Sequence, residues 1–186
     1  MSRKQDPLSV EFLLLGIIRK QPIHAYDLDK MLKEKEELSV VWRFNQSQLY
    51  AILDKLEKNN LIQSEITQGS AFPFRKIYTL TQAGEDAFQA WKVRPVEKTR
   101  ELRSDFLVKL FFLKDEPYQI FESVIKQQIM LCNQWIELQN THLKNQPDDA
   151  IYLRMVYQFR LESLRSNVIW LNECLSVRKN DCLLYT

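Results

Sequence analysis

Asn45-Gln46-Ser47-Gln48-Leu49-Tyr50-Ala51-Ile52-Leu53-Asp54-Lys55-Leu56-Glu57-Lys58 is the stretch that decides the fold. Asn45 followed three residues later by Gln48 is a capping-box pattern, in which each side chain serves the backbone N–H of the other. Leu49, Ile52, Leu53 and Leu56 then fall at i, i+3, i+4 and i+7, one buried stripe of a helix. The opposite face carries Gln46, Ser47, Tyr50, Asp54 and Lys55. Asn59-Asn60 stops the helix, and Leu61-Ile62 begins an extended run. A helix buried on one side and polar, partly aromatic, on the other fits the major groove of duplex DNA, which is about 12 Å wide.

Outward from this helix the pattern is consistent. On its N-terminal side, Asp6-Pro7 suits a helix start, and Leu8 to Lys20 follows with Leu8, Phe12, Leu15 and Ile18 on one face. Gln21-Pro22 ends that helix, and a second is expected from His24 to about Glu36. On its C-terminal side, Ile62 to Thr67 and Ile77 to Leu80 have strand character, joined by a long tip containing Phe72-Pro73-Phe74-Arg75-Lys76. Thr81 can cap a helix from Gln82 to about Lys92, which closes before Pro95. Helix, helix, helix, hairpin, helix is helix-turn-helix logic with a wing.

From Val96 onward no strand pattern occurs. Helices are expected over Val96–Leu113, Tyr118–Lys144 and Ala150–Val177. Leu161, Leu164, Val168, Leu171 and Leu175 are spaced 3, 4, 3 and 4, a coiled-coil-like seam. The expected architecture is mainly α with a small β-hairpin wing. Residues 1–95 form a winged helix-turn-helix, and residues 96–186 a domain of long antiparallel helices.

Composition narrows the function. The chain has 186 residues, 45% hydrophobic and 27% charged, which excludes a wholly disordered protein. Its three glycines, Gly16, Gly69 and Gly84, lie 53 and 15 residues apart, so no Gly-rich phosphate loop can be built from them. Lys plus Arg number 26 and Asp plus Glu 24, with 14 and 12 of them before Pro95. Net charge therefore indicates no partner, and a nucleic-acid reading must rest on where particular charges sit. Cys132, Cys174 and Cys182 are expected to be free thiols, and no Cys/His pair has zinc spacing. With no GxSxG, HExxH or Cys–His arrangement, no enzyme, metal or cofactor is expected. The longest apolar run, Phe12 to Ile18, is too short to span a membrane, and the polar start leads into no signal-peptide pattern. The expected compartment is the cytoplasm.

Each candidate residue has a plain reading beside the functional one. Gln46, Ser47 and Gln48 are either cap and wet surface or readers of base edges, since glutamine can bond adenine at two atoms. Tyr50 is either a core aromatic or, lying off the leucine stripe, a DNA contact; Tyr50 and Lys55 suit phosphates, which fix register without reading sequence, and Arg43 is a further candidate DNA contact. Arg75 and Lys76 are a solvated pair or a phosphate or minor-groove contact on the wing. Tyr26 either contacts phosphate or packs under the second helix. His24 is expected as a cap or packed polar group, and His142 has no assignable partner. Trp42, Trp91, Trp135 and Trp170 are core and interface aromatics or the walls of a ligand pocket.

The order Leu13-Leu14-Leu15-Gly16-Ile17-Ile18, Pro22-Ile23-His24-Ala25-Tyr26-Asp27-Leu28, Ser47-Gln48-Leu49-Tyr50, Leu53-Asp54-Lys55-Leu56-Glu57 and Leu61-Ile62 resembles the PadR family of bacterial transcriptional regulators. Pro73 to Gly84 is similar to that family's wing and following helix. Leu102 to Phe111 is similar to the start of its C-terminal helical region. The resemblance implies a winged helix-turn-helix that binds a near-palindromic operator in double-stranded DNA as a homodimer. Members commonly repress, some activate, and some sense phenolic acids or other aromatic compounds. It implies a dimer contact in the C-terminal helices, for which the seam Leu161, Leu164, Val168, Leu171 and Leu175 is the candidate. Trp91 and Tyr118 are the candidates for a small aromatic effector's wall. The sequence departs from the family in one place, having Ala25 where glycine usually follows the histidine. A winged-helix adaptor that binds protein instead of DNA is the alternative.

Overall fold

Helix α1 (Ser9–Ile18) is apolar nearly all round. The structure is a computed structural model whose described residues are 9–34, 45–67 and 75–184. It buries Phe12, Leu13, Leu14, Leu15, Ile17 and Ile18 of α1 in one cluster. Gly16 sits where a side chain cannot: a Cβ there would lie 2.3 Å from the Phe112 ring and 2.6 Å from that of Phe88. Two compact units divide the chain, Met1–Lys92 with Leu107–Phe112, and Val93–Phe106 with Leu113–Thr186.

In the first unit, α1 is followed by a two-residue strand β1 (Ile23–His24), helix α2 (Ala25–Glu34), helix α3 (Gln46–Lys58), strands β2 (Ile62–Thr67) and β3 (Arg75–Leu80), and helix α4 (Gln82–Val93). The strands form one antiparallel sheet in the order β1-β3-β2, with Ile23 opposite Tyr78 and Ser64 also opposite Tyr78 from the other side. The sequence pattern has His24 opening a helix. It pairs instead with Ile77, because the short stretch after Pro22 can extend and add a third strand to the hairpin. Ala25 then begins α2 with its side chain buried. Among the described residues the non-glycine position with positive φ is Asn60, at 57°, just past the end of α3. The alanine therefore replaces glycine at a place that needs no left-handed backbone.

The wing joins α4 through Thr81. Its hydroxyl donates to the carbonyls of Asn60 (2.7 Å) and Leu61 (3.0 Å) and accepts from the Gly84 N–H at 3.0 Å. A Cβ on Gly84 would stand 2.0 Å from the Leu61 carbonyl oxygen, so the helix start lies against backbone. Deeper in the unit, Trp91 stacks on Phe12 with ring centroids 4.5 Å apart, and Phe88 meets Phe112 edge-on at 5.0 Å. Val108 and Phe112 belong to this core, although they follow Pro95 in sequence.

The second unit contains a 3-10 turn (Thr99–Arg103), the ends of helix α5 (Asp105–Leu113), helix α6 (Tyr118–Lys144) and helix α7 (Ile151–Leu184). The single helix expected from Val96 to Leu113 is not formed. Ser104, with φ −128° and ψ −74°, interrupts it, and Val96 lies before it with its backbone held from α6. The fully buried Gln128 accepts from the Val96 N–H at 2.7 Å and donates to its carbonyl at 3.3 Å. This satisfies a buried backbone that would otherwise be costly. Helices α6 and α7 pack along one another. Here the expected dimer seam is corrected: Leu161, Leu164 and Leu171 are buried within the single chain, and Val168 and Leu175 are half-buried. The 3-4 spacing is used between two helices of one protomer, the other arrangement that such a seam allows.

Candidate nucleic-acid interface

The capping box of α3 is present in full. Asn45 Oδ1 accepts from the Gln48 N–H at 2.8 Å, and the Asn45 N–H donates to Gln48 Oε1 at 3.1 Å. Leu49, Leu53 and Leu56 point inward and are buried, each worth about 1.5–3 kcal/mol against exposure. With the inner face so fixed, Gln46, Ser47 and Asp54 stand in solvent and Tyr50 is 41% exposed. The cap also separates the two glutamines. A bidentate adenine contact needs both the amide oxygen and the amide nitrogen. Gln48 has lent its oxygen to the cap, and Gln46 has not.

Lys55 lies elsewhere than expected. Its ammonium is 2.6 Å from Glu11 Oε1, and Glu11 is only 2% exposed. A carboxylate carried into the core on α1 is costly unless a cation reaches it. Lys55 is thus a tie between α1 and α3, a role the phosphate reading of the sequence does not include.

The wing root is tied to the same helix. Ser64 Oγ on β2 donates to Glu57 Oε1, and Lys76 Nζ on β3 lies 3.4 Å from Glu57 Oε2. The Ser64 hydrogen bond, with Lys76 behind it, outweighs burial and holds the Glu57 carboxyl below the usual carboxylate range. His24 Nδ1 is 3.1 Å from the Lys76 carbonyl, the packed polar role expected of it. Lys76 itself remains exposed. The side chain of Arg75, together with Trp42, Arg43 and the tip residues 68–74, lies outside the described residues.

Of the two readings of Tyr26, the packed one does not hold, since Tyr26 is 62% exposed in the first turn of α2. Ala25, Leu28 and Leu32 fill the inward positions. Their spacing of 3 and 4 was visible in the sequence and leaves position 26 outside.

The two residues expected to wall an effector pocket fall in different units. Trp91 is half-buried in the first unit, stacked on Phe12 with the Lys109 ammonium 5.0 Å from its ring centroid, whereas Tyr118 belongs to the second unit. His142 stacks on Tyr157 at 5.6 Å. Burial raises the thiol pKa of both Cys132 and Cys174, the opposite of what a reactive cysteine needs. Among the described residues no group of three His, Cys, Asp or Glu side chains is placed to hold a metal, and no helix is long and apolar enough to cross a membrane.

A capped helix with an exposed polar first turn, a helix ahead of it and a β-hairpin wing behind it, extended by β1, define a winged helix-turn-helix, a class built to bind duplex DNA. The profile of the Transcriptional regulator PadR-like family matches residues 14–90, and that of the Virulence activator alpha C-terminal family matches residues 102–178. Residues 14–90 thus carry the domain of the PadR-like transcriptional regulators. Over 184 residues it is 27% identical to the Negative transcriptional regulator PadR of Bacillus subtilis, covering 92% of this chain and 98% of that one. Among solved structures it is similar to Bacillus subtilis PadR in complex with operator DNA, with 23% identity, a TM-score of 0.46, and 92% and 99% of the two chains covered. It is also similar to the same protein in complex with p-coumaric acid, with 23% identity, a TM-score of 0.41, and 94% and 98% covered.

Proposed function

We propose that this protein is a cytoplasmic repressor that binds a near-palindromic operator as a homodimer through residues 1–95 and dimerises through residues 96–186. The observation that carries the reading is the outer face of α3: Gln46, Ser47 and Tyr50 exposed on a helix whose other side is locked in the core. In this reading Gln46 meets a base edge as the bidentate glutamine, and Ser47 donates or accepts beside it. Gln48 positions the helix through its cap. Tyr50, Lys76 and Tyr26 meet phosphates, joined by Arg43 and Arg75 on the strength of the sequence alone. Repression follows the named role of the Bacillus subtilis relative, a negative regulator. Release by a small aromatic effector belongs to the same reading.

Two half-sites about 34–36 Å apart require two copies of α3. With the leucine seam turned inward, a surface open to a partner copy is the exposed apolar face at the start of α7, where Ile151, Tyr152 and Met155 stand in solvent.

The test is a fluorescence-anisotropy titration of the promoter upstream of the protein's own gene against a random duplex, at several salt concentrations. Gln46→Ala is expected to lose about 1–3 kcal/mol on the operator and little on the random duplex. Lys76→Ala is expected to weaken both and to flatten the salt slope by about one unit. No salt-sensitive specific complex on any flanking DNA would favour the protein-binding adaptor.

A further inference from the structure

The second unit holds a cavity of about 680 Å³ lined by the 3-10 turn, by α7 and by one residue of α6. That is the size range of small-molecule sites. Arg100 and Arg103 are three residues apart on the 3-10 turn, where positions i and i+3 eclipse, so both line the cavity together. Arg160, Ser163 and Asn167 fall at i, i+3 and i+7 of α7 and line it from the helix. Phe159, 72% exposed, supplies an apolar wall.

The charge balance of this cavity is unusual. Among the described residues, no carboxylate forms an ion pair with Arg100, Arg103 or Arg160. Two of the nearest acids in sequence are engaged elsewhere: Glu101 lies 3.5 Å from Lys98, and Glu162 lies 2.7 Å from Arg165. Arg160 has its guanidinium 5.9 Å from the centroid of the Tyr157 ring, which leaves its charge unneutralised. Three exposed guanidiniums around one concavity raise its positive potential and favour an anion there. Guanidinium forks match the oxygens of a phosphate, and a hydroxyl and an amide stand beside them.

We propose that this cavity is a binding site for a small organic phosphate, its dianionic head held by Arg100, Arg103 and Arg160 and its apolar body against Phe159. A monocarboxylate would leave most of the positive charge unanswered. The proposal does not rest on operator binding, because the site lies within the helical unit and is read on protein without DNA.

Isothermal titration of the full-length, DNA-free chain with phenyl phosphate, inorganic phosphate and benzoate tests it. Saturable binding of phenyl phosphate, one per chain and at least tenfold tighter than either of the others, is expected. Arg103→Ala and Arg160→Ala should each weaken it tenfold or more with unchanged helical circular dichroism, and Phe159→Ala should weaken phenyl phosphate while leaving inorganic phosphate unmoved. Absence of binding at millimolar concentration overturns the proposal, as does affinity that the arginine variants do not change. Equal affinity for inorganic phosphate, or for benzoate, overturns the assignment to an organic phosphate. If phenyl phosphate does not bind and the arginine variants instead lower dimer affinity, or lower duplex affinity and its salt slope, the arginines serve a partner copy or the DNA backbone, and the proposal fails.

Discussion

Helices α3 and α7 both turn a leucine stripe inward, and they use their outer faces in opposite ways. In α3 the apolar stripe turns inward and what remains outside is Gln46, Ser47, Tyr50 and Asp54. In α7 the regular leucine spacing also turns inward, but what remains outside includes Ile151, Tyr152, Met155, Ile169 and Val177. A wet polar face on a short, well-capped helix suits a hydrated, charged partner. An apolar face left on a long helix suits dehydration against another protein surface. A tidy hydrophobic repeat therefore locates a helix's buried side without saying whether the partner is the same chain or another. That is decided by what else the helix leaves uncovered.

The comparison breaks first at the level of stability. Leu171 is fully buried, and Ile169, two residues away, is 62% exposed. Leu171→Ala is expected to cost about 2–5 kcal/mol of unfolding free energy. Ile169→Ala, measured at concentrations that keep the protein monomeric, should stay within about 0.5 kcal/mol. Urea midpoints at a fixed slope read both. Similar losses at the two positions would mean that the seam is not an internal one.

Association is the next place to press. Met155 is 66% exposed on the proposed partner face. Met155→Ser should cost about 1.5–3 kcal/mol of dimerisation, roughly tenfold to a hundredfold in dimer affinity. Sedimentation equilibrium measures the shift, and the monomer's thermal unfolding should be unchanged. A dimer as tight as before would place the contact elsewhere in the chain.

How far the sequence reaches differs between the two regions for the same physical reason. The start of α3 at Asn45 is legible because capping is local: two residues three positions apart specify it, Asn45 and Gln48. The α6 boundaries at Tyr118 and Lys144 were legible from Pro117 and the Asn-Gln-Pro turn. The strand Ile23–His24 was not, since two residues carry no periodicity and extend only because β3 offers them an edge. The break at Ser104 was hidden because the buried Gln128, more than twenty residues further on, holds the preceding backbone. In the candidate site, the polar face of α3 followed from its stripe, whereas the diversion of Lys55 required knowing that Glu11 is carried into the core 44 residues earlier. Charge pairs between distant helices have no sequence period, so a lysine on a polar face looks free until its partner is placed.

The smallest expected effect joins the polar face of α3 to the wing. Glu57 accepts from Ser64 and from Lys76, and its carboxyl titrates below the ordinary range. A folded-state pKa below the unfolded value means that this tie stabilises the protein above the unfolded carboxylate pKa and is lost as pH falls through the lowered folded one. The wild type should therefore lose stability between about pH 5 and pH 3 more steeply than Glu57→Gln. The difference should be small because the Glu57 side chain is 31% exposed and its lysine partner 47% exposed. The same substitution removes a negative charge beside Lys76 and frees its ammonium. Duplex affinity should rise at low salt, and the salt slope should steepen by up to about one unit if Lys76 meets a phosphate. Stability that changes with pH as expected, together with an unmoved salt slope, would keep Glu57 as the wing's anchor and take Lys76 out of the DNA contact.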